Sequence, residues 1–253
     1  MARAIDSDAI VQLVLDDDRR RRHLAAATAL DQPVDLRLRS WEVWLRDGGR
    51  PGTSSYVGPL EPCRVAGANT ALRAAATHES PGRSAQLDRA ALAALSVAAG
   101  RSNERRCIAL WVATMMWGGG TLDTRAPWHT AQGLADPELG AVLTSSHREV
   151  RAGRLAEAYR IAAAIPGTGA AAVTRWLWAA SLGVPPADRQ PLVLDHDVRR
   201  TLGRAEVRPE RSGQGYAAYV DAMHEAAATL RTEHRLRCAE PERLQRSLAL
   251  QPA

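Results

Sequence analysis

The chain has 253 residues, of which 45% are hydrophobic, so it holds enough apolar material for one large domain or two lobes. Its formal net charge of +5 suits a nucleic-acid partner as well as an ordinary basic surface, and every basic residue is arginine, because the chain has no lysine. No segment has the length of a transmembrane helix and the N-terminus has no signal-peptide pattern, so we expect a cytoplasmic protein without a membrane partner.

The cysteines and histidines are spaced too widely to indicate a metal site. Cys63, Cys107 and Cys238 lie far apart, and the seven histidines include no ligand spacing such as His-Glu-x-x-His. We interpret His224-Glu225 as a solvated or packed pair on a helix. The sequence therefore predicts no metal, no cofactor and no disulfide framework. It also predicts no iron–sulfur cluster, which needs four closely spaced cysteines.

The N-terminal segment is predicted to be helical. Residues 1–30 carry a helical pattern that is interrupted at 16–22 by three Asp followed by four Arg, a run typical of a solvated helix face or turn. Trp41 and Trp44 lie three residues apart. A helix would place both on one face, and we expect them in the core.

Helices and breaks alternate through the middle of the chain. Glycine, proline and serine predict an irregular segment at 47–70, and a helical pattern follows at 86–99. Residues 100–103 are expected to break that helix. The next helix is predicted from Glu104 to Trp117, and three consecutive glycines, Gly118–Gly120, end it.

The remaining elements are also predicted to be helical. We expect helices at about 131–144, 146–163 and 170–182, a loop at 184–188, a helix capped by Asp195 or Asp197 that runs to about 203, a Gly-rich connector at 212–215, and an amphipathic helix from Tyr216 to Arg231. The sequence has no internal repeat and little that is typical of strands. It therefore predicts an all-α fold.

The most informative segment is the turn at Gly167-Thr168-Gly169 between two helical patterns. The two glycines allow a positive φ and a close backbone approach that a larger residue would block. The second helix then begins with free N–H groups and the positive end of its dipole, which together favour an anion. A carboxylate, Asp195, follows at another helix start. A helix start that favours an anion, followed by a carboxylate, suits an enzyme that binds a nucleic-acid backbone.

These two motifs resemble those of the helix-hairpin-helix DNA glycosylases. That family has a hairpin of the pattern hydrophobic-Pro-Gly-x-Gly, matched by Ile165–Gly169, and a catalytic Asp in a Val-Asp-x-His-like motif. Leu194–Val198 match the second motif more loosely, because Asp197 stands where the family usually has histidine. The resemblance covers roughly residues 105–204. The alternative is an ordinary helical hairpin followed by an Asp that only caps a helix.

The helical pattern around Trp117 and Tyr216 is similar to the 8-oxoguanine glycosylase branch of that family. The resemblance implies two helical lobes with DNA lying across the cleft between them. One lobe would be a helical barrel at 105–182 that ends in the hairpin. Residues 1–104 would pack with 183–253 to form the second lobe, which carries the catalytic Asp.

The resemblance also implies roles for individual residues. Asp195 is the expected catalytic carboxylate, which would stabilise positive charge on the sugar as the N-glycosidic bond breaks, and Asp197 competes for this role. Asp195 would also be a good N-cap, and both roles can hold together. We expect DNA contacts from Gly167, Thr168, Gly169, Ala170, Ala171 and Arg199.

Two interpretations of the glycines at the end of the Glu104–Trp117 helix stay open. They are either a plain C-cap and flexible joint, or a wall that lets a flipped base approach the backbone. In the second case Trp117 or Trp128 would supply a stacking face. The predicted base pocket then consists of Trp117, Gly118, Gly119, Gly120 and Trp128.

Bifunctional members of the family carry a lysine two residues after the second hairpin glycine, which attacks the sugar as an amine. Here that position is Ala171. The resemblance therefore implies a monofunctional glycosylase, in which water attacks and an abasic site remains.

The missing lysine also bears on the substrate. It fits poorly with the usual 8-oxoguanine enzyme of this branch, which relies on that lysine. A resemblance to divergent glycosylases of bacterial antiviral defence implies a hypermodified phage base such as glucosylated hydroxymethylcytosine, and repair of an oxidised base such as 8-oxoguanine is the alternative. The expected partner is double-stranded DNA, with modified phage DNA as one form of it. A non-catalytic DNA-binding module and a helical protein–protein adaptor are the alternatives from other functional classes.

Overall fold

The computed structural model describes residues 5–25, 33–76, 85–100, 103–120, 125–183 and 189–250. These residues form thirteen helices and one two-stranded sheet, which confirms the predicted all-α class. The helices are α1 (Ser7–Leu15), α2 (Asp18–Ala25), α3 (Leu38–Asp47), α4 (Pro62–Ala76), α5 (Arg89–Ala99), α6 (Glu104–Gly119), α7 (Ala126–Ala135), α8 (Leu139–Arg151), α9 (Leu155–Ala162), α10 (Ala170–Ser181), α11 (His196–Arg204), α12 (Gly213–Thr232) and α13 (Pro241–Ala249). Strands β1 (Val34–Leu36) and β2 (Ala85–Leu87) pair antiparallel, with Asp35 opposite Gln86. In this described part of the chain, no helix combines the length and hydropathy needed to cross a bilayer.

The charged run near the N-terminus separates α1 from α2. The carboxylate of Asp17 accepts the backbone N–H of Arg19 at 3.0 Å, which begins the second helix. The predicted solvated face is only partly correct, because Arg20 is buried and its guanidinium donates to the carbonyl of Leu13 at 3.0 Å. A long side chain whose charge finds internal partners can enter a core that the sequence pattern alone assigns to solvent.

Several predicted boundaries in the first half of the chain are wrong. The segment expected to be irregular as far as residue 70 ends earlier, because Pro62 opens α4 as a first-turn proline. The helix expected from residue 86 begins only after β2, where Asp88 accepts the N–H of Ala91 as an N-cap. Of the break expected at 100–103, residues 101–102 lie outside the described residues, as does the loop expected at 184–188.

Three helices replace the two that were predicted between residues 126 and 163. Pro137 follows the last residue of α7 by two positions, and it removes a backbone N–H and cannot continue a helix. Gly153 ends α8 at a positive φ of 73°, the left-handed conformation that favours glycine. The apolar spacing continues through both breaks. Periodicity alone therefore predicted continuous helices where the backbone is interrupted.

The core is built around α6. Every residue of α6 from Cys107 to Met116 is buried, so this central part of the helix has no solvent face, and α4, α5, α8 and α10 surround it. Because the chain has no phenylalanine, tryptophan and tyrosine supply the large side chains. The indole of Trp176 donates to the hydroxyl of Ser146 at 3.1 Å, which satisfies its polar group inside the core.

Candidate functional site

The hairpin between α9 and α10 is exposed at its tip and anchored at its base. Ile165 is buried, whereas Pro166 and both hairpin glycines are exposed. The backbone N–H of Thr168 donates to the carbonyl of Ile165 at 3.2 Å and closes the turn. The apolar side chain thus fixes the hairpin to the core and leaves its glycines on the surface.

The two hairpin glycines serve different purposes. Gly167 has a φ of 71°, and a Cβ added there would lie 2.9 Å from Oε1 of Gln132, so this position requires glycine for its backbone. Gly169 has an ordinary φ of −80° and an added Cβ would meet no atom within 4 Å. The expectation of positive φ therefore holds for the first glycine alone. The second leaves open space in front of α10.

Gly169 is the N-cap of α10, and it offers no side-chain hydrogen bond to the helix. The first turn of α10 contains no acidic residue. Its first N–H groups point along the helix axis toward the open space at Gly169, together with the positive end of the helix dipole. This arrangement can bind an anion such as a phosphate.

Asp195 caps α11 at the end of a buried extended segment, residues 191–194. Its Oδ1 accepts the backbone N–H of Val198 at 3.0 Å. Oδ2 makes no hydrogen bond to any described residue, and the side chain is half-buried. One oxygen therefore fixes the carboxylate, and the other remains available to a positive charge that develops beside it.

Three side chains of α12 hold the segment that precedes Asp195. The hydroxyl of Tyr216 accepts the N–H of Leu192 at 3.1 Å and donates to its carbonyl at 2.9 Å. The hydroxyl of Tyr219 donates to the carbonyl of Val193 at 3.1 Å. His224 bonds the carbonyl of Gln190 at 3.0 Å through Nε2, which must carry the proton because a carbonyl only accepts.

Burial raises the pKa of both tyrosines well above the usual value for a phenol. Their hydroxyls therefore stay protonated and keep donating. The sequence predicts an amphipathic helix here but gives no indication that its tyrosines support the Asp195 segment. The signal available was the pair of tyrosines three residues apart on a buried face.

Thr174 connects the hairpin helix to the same segment. Its hydroxyl accepts the N–H of Leu194 at 3.0 Å and donates to the carbonyl of Ala171 at 3.1 Å. Ala171 lies in the first turn of α10, directly after the exposed hairpin. The buried hydroxyl of Thr174 therefore links the first turn of α10, which can bind an anion, to Leu194, the residue before Asp195.

The other predicted residues of α11 make local contacts. Asp197 forms an ion pair with Arg200 at 2.8 Å on the surface. Arg199 is half-buried and its Nη1 donates to the carbonyl of Pro209 at 3.2 Å, and burial lowers the pKa of its guanidinium. Arg199 thus supports the loop after α11 through this contact, and its DNA-binding role stays a prediction.

The residues of the predicted base pocket divide between two places. Trp117 stacks on Trp178 of α10, with ring centroids 4.8 Å apart, and a Cβ on Gly118 would lie 2.7 Å from Cδ of Arg175. Trp117 and Gly118 therefore lie at the contact between α6 and α10. Gly119 is buried in α6.

Gly120 and Trp128 make other contacts. Gly120 has a φ of 53° and borders a cavity of about 530 Å³, whereas Trp128 does not line that cavity, is half-buried and tilts against His129 with ring centroids 4.6 Å apart. Three arginines for which the sequence predicts no role line the same cavity. The lining consists of Arg37, Arg39, Ser40, Trp41, Val43, Trp44, Arg50, Thr53, Ser55, Gly120 and Pro127.

Within the described ranges, no group of three or more His, Cys, Asp or Glu is placed to hold a metal ion, and the three cysteines are free. The site itself offers a carboxylate and a helix start that are linked through the hydroxyl of Thr174. Such a pair can hold a phosphate and stabilise a cation a short distance away.

One comparison with known proteins gives a match. The family model described as "Putative 8-oxoguanine DNA glycosylase OGG-like protein" matches residues 27–248, which include the hairpin, Asp195 and the cavity beside Gly120. No curated protein matches the chain. No solved structure matches it either.

Proposed function

Because the chain belongs to the OGG-like family of 8-oxoguanine DNA glycosylases, we propose that it excises a modified base from double-stranded DNA and leaves an abasic site. The observation that carries the proposal is the hydroxyl of Thr174, which connects the first turn of α10 with the peptide before Asp195. A phosphate held at that turn would place its nucleotide near the carboxylate.

In the proposed reaction, Asp195 acts on the sugar. As the N-glycosidic bond breaks, its electron pair leaves with the base and positive charge develops on the sugar. The fixed carboxylate stabilises that charge and orients a water molecule. The water oxygen bonds to the anomeric carbon, and its proton passes to the departing base or to solvent. Asp197 is the weaker candidate, because its carboxylate is paired with Arg200 on the surface.

The hairpin and the start of α10 hold the DNA backbone in this proposal. Gly167 sets the turn, and Gly169 lets a phosphate approach the N–H groups of Ala170 and Ala171. Thr168 is half-buried beside them. Arg199, in the first turn of α11, is the further DNA contact in this proposal.

Hydrolysis by water is the proposed mechanism because no side chain can supply an amine. Ala171 occupies the position at which lysine-dependent relatives attack the sugar, and the chain contains no lysine. The product is then an intact abasic site and a free base.

Two substrates are proposed, each on a different observation. The description of the family names 8-oxoguanine, which supports repair of an oxidised base. Ala171 in place of the lysine supports a substrate outside the lysine-dependent branch, and there we propose a hypermodified phage base such as glucosylated hydroxymethylcytosine, in antiviral defence.

The test is base release from defined duplexes. The wild-type protein is incubated with oligonucleotides that carry 8-oxoguanine, glucosylated hydroxymethylcytosine or only normal bases, and free bases are identified by mass spectrometry. Release from one modified duplex and from no unmodified one supports the proposal and chooses the substrate. A protein that binds all duplexes equally and releases no base is a DNA-binding module instead.

A further inference from the structure

The cavity beside Gly120, which we name the arginine cavity, combines three arginines with no carboxylate. Arg37, Arg39 and Arg50 line it, none of its lining residues is acidic, and none of the three arginines forms an ion pair or a side-chain hydrogen bond with any residue that the structure describes. Three like charges around about 530 Å³ repel one another, and an anion in the cavity would relieve that repulsion.

The local backbone shows why these arginines meet. Arg37 is the N-cap of α3 and Arg39 lies in its first turn, whereas Arg50 follows the end of the helix. Gly48 and Gly49 have φ values of 68° and 104°, so the chain reverses after α3 and returns Arg50 to the same cavity.

The position of two arginines at the start of α3 conflicts with the helix dipole. Cations are unfavourable at a helix N-terminus, and Arg37 offers no side-chain hydrogen bond to cap it. A bound anion would offset this conflict, because it would pair with the guanidinium groups and favour the positive end of the dipole. Local conflicts of this kind are typical of functional sites.

The walls of the cavity are built for a polar ligand. Trp41 is buried and half-buried Trp44 lies against Gly49, at which an added Cβ would be 2.3 Å from Cζ3 of the indole. The hydroxyls of Ser40, Thr53 and Ser55 also line the space. Arginine and hydroxyl groups together recognise phosphate, with bidentate contacts from each guanidinium.

The cavity is connected to the proposed catalytic face through α6. Gly120 borders the cavity, and Gly118, two residues earlier, contacts Arg175 in the second turn of α10.

We propose that the arginine cavity binds a backbone phosphate of the DNA duplex from which the base is excised. This inference rests on the proposed function for the identity of the strand. It adds a second phosphate site, contributed by α3 and the turn after it, to the one at the hairpin.

The first test is the salt dependence of duplex binding. The combined variant Arg37→Gln, Arg39→Gln, Arg50→Gln should bind at least about 10-fold more weakly at low salt, and the slope of log K against log salt should fall by about 1 to 3. The matched control is Arg22→Gln, Arg235→Gln, Arg237→Gln, which removes the same charge from exposed arginines outside the cavity. Equal slopes for the two triple variants would overturn the inference.

A second measurement begins with the wild-type protein. Neutral methylphosphonate linkages are placed one at a time along each strand, and a position other than the one bound by the hairpin should weaken wild-type binding. The cavity variant, once circular dichroism shows that it is folded, should be insensitive to that position. The absence of such a position in wild type would overturn a backbone site.

Base release measured in the same reactions separates the two proposals. Wild-type release with no cavity-dependent slope overturns the inference and leaves the proposed function. A cavity-dependent slope without any base release leaves a DNA-binding cavity and overturns the glycosylase.

Discussion

The backbone N–H of Leu194 donates to the hydroxyl of Thr174 over 3.0 Å. Leu194 precedes Asp195, and Thr174 lies one turn into the helix that follows the hairpin. The bond therefore ties the position of the carboxylate to the element that is proposed to hold DNA. A shift of α10 would move the carboxylate with it.

We expect Asp195→Asn to lower base release by about 100-fold or more, because the amide cannot stabilise positive charge on the sugar. Asparagine is as good an N-cap as aspartate, so the free energy of unfolding should change by only a few tenths of a kcal/mol. Single-turnover rates measure the first effect, and urea unfolding measures the second. Asp197→Asn is the control and should stay within a few-fold of wild type. An inactive Asp197→Asn beside an active Asp195→Asn would show that the motif register is wrong.

The hairpin glycines should respond differently to substitution. Gly169→Val introduces a side chain into open space at an ordinary φ, so it should block the phosphate and weaken binding to all duplexes, with a small loss of Tm because valine is a poorer N-cap than glycine. Gly167→Ala imposes a left-handed conformation that costs about 1–2 kcal/mol, which lowers Tm by several degrees. Thermal melts and binding assays on both variants make the comparison. Unchanged affinity in Gly169→Val would remove the hairpin from the DNA interface.

Thr174→Val should leave the N–H of Leu194 buried without a partner and cost about 1–3 kcal/mol of stability. We expect the rate of base release to fall more than duplex affinity, because the variant loosens the peptide before Asp195. Thr174→Ser restores the hydroxyl and should recover most of the rate. A serine variant as slow as the valine variant would mean that the methyl packing, not the hydrogen bond, positions the segment.

The product of the wild-type reaction should contain abasic sites in an intact strand, which break only with hot alkali or a separate endonuclease. Sodium borohydride should trap little covalent protein–DNA adduct, because the chain has no lysine to form an imine. Ala171→Lys, which restores the amine at the family position, is the matched gain-of-function variant. Efficient trapping of wild type at a mapped side chain would contradict the hydrolytic mechanism.

Stability should fall in acid through His147. Burial lowers the pKa of this histidine to about 4 in the native state, with Arg151 as the smaller cause, whereas the unfolded chain titrates near 6.5. The free energy of unfolding therefore decreases as the pH falls from about 6.5 to 4, by at most about 3 kcal/mol. Urea unfolding at pH 7 and pH 5 should show a smaller loss in His147→Gln than in wild type. Exposed His234→Gln serves as the control, and an identical loss in both variants would refute this origin.

Features that depend only on neighbouring residues could be predicted from the sequence. The hairpin and the cap at Asp195 were identified because a turn and an N-cap depend on neighbouring residues alone. Helix boundaries near Pro137 and Gly153 were missed, since the apolar period continues across both breaks. Local apolar patterns predict which face of a helix is buried more reliably than they predict the residue at which the helix ends.

Features that depend on distant residues could not be predicted. Tyr216 and Tyr219 reach the segment before Asp195 from more than twenty residues away. The arginine cavity joins both ends of α3 to Gly120 at the end of α6, and one of its arginines lies in a stretch that composition identified only as irregular. Neither arrangement has a sequence period, because tertiary packing alone brings its members together.

The two tyrosine hydroxyls beneath the Asp195 segment have a consequence for how the rate depends on pH. Both donate to backbone carbonyls and burial holds both in the neutral form, so the support of the carboxylate has no alkaline titration of its own. With no lysine in the chain either, neither these hydroxyls nor a lysine amine can account for a loss of rate at high pH.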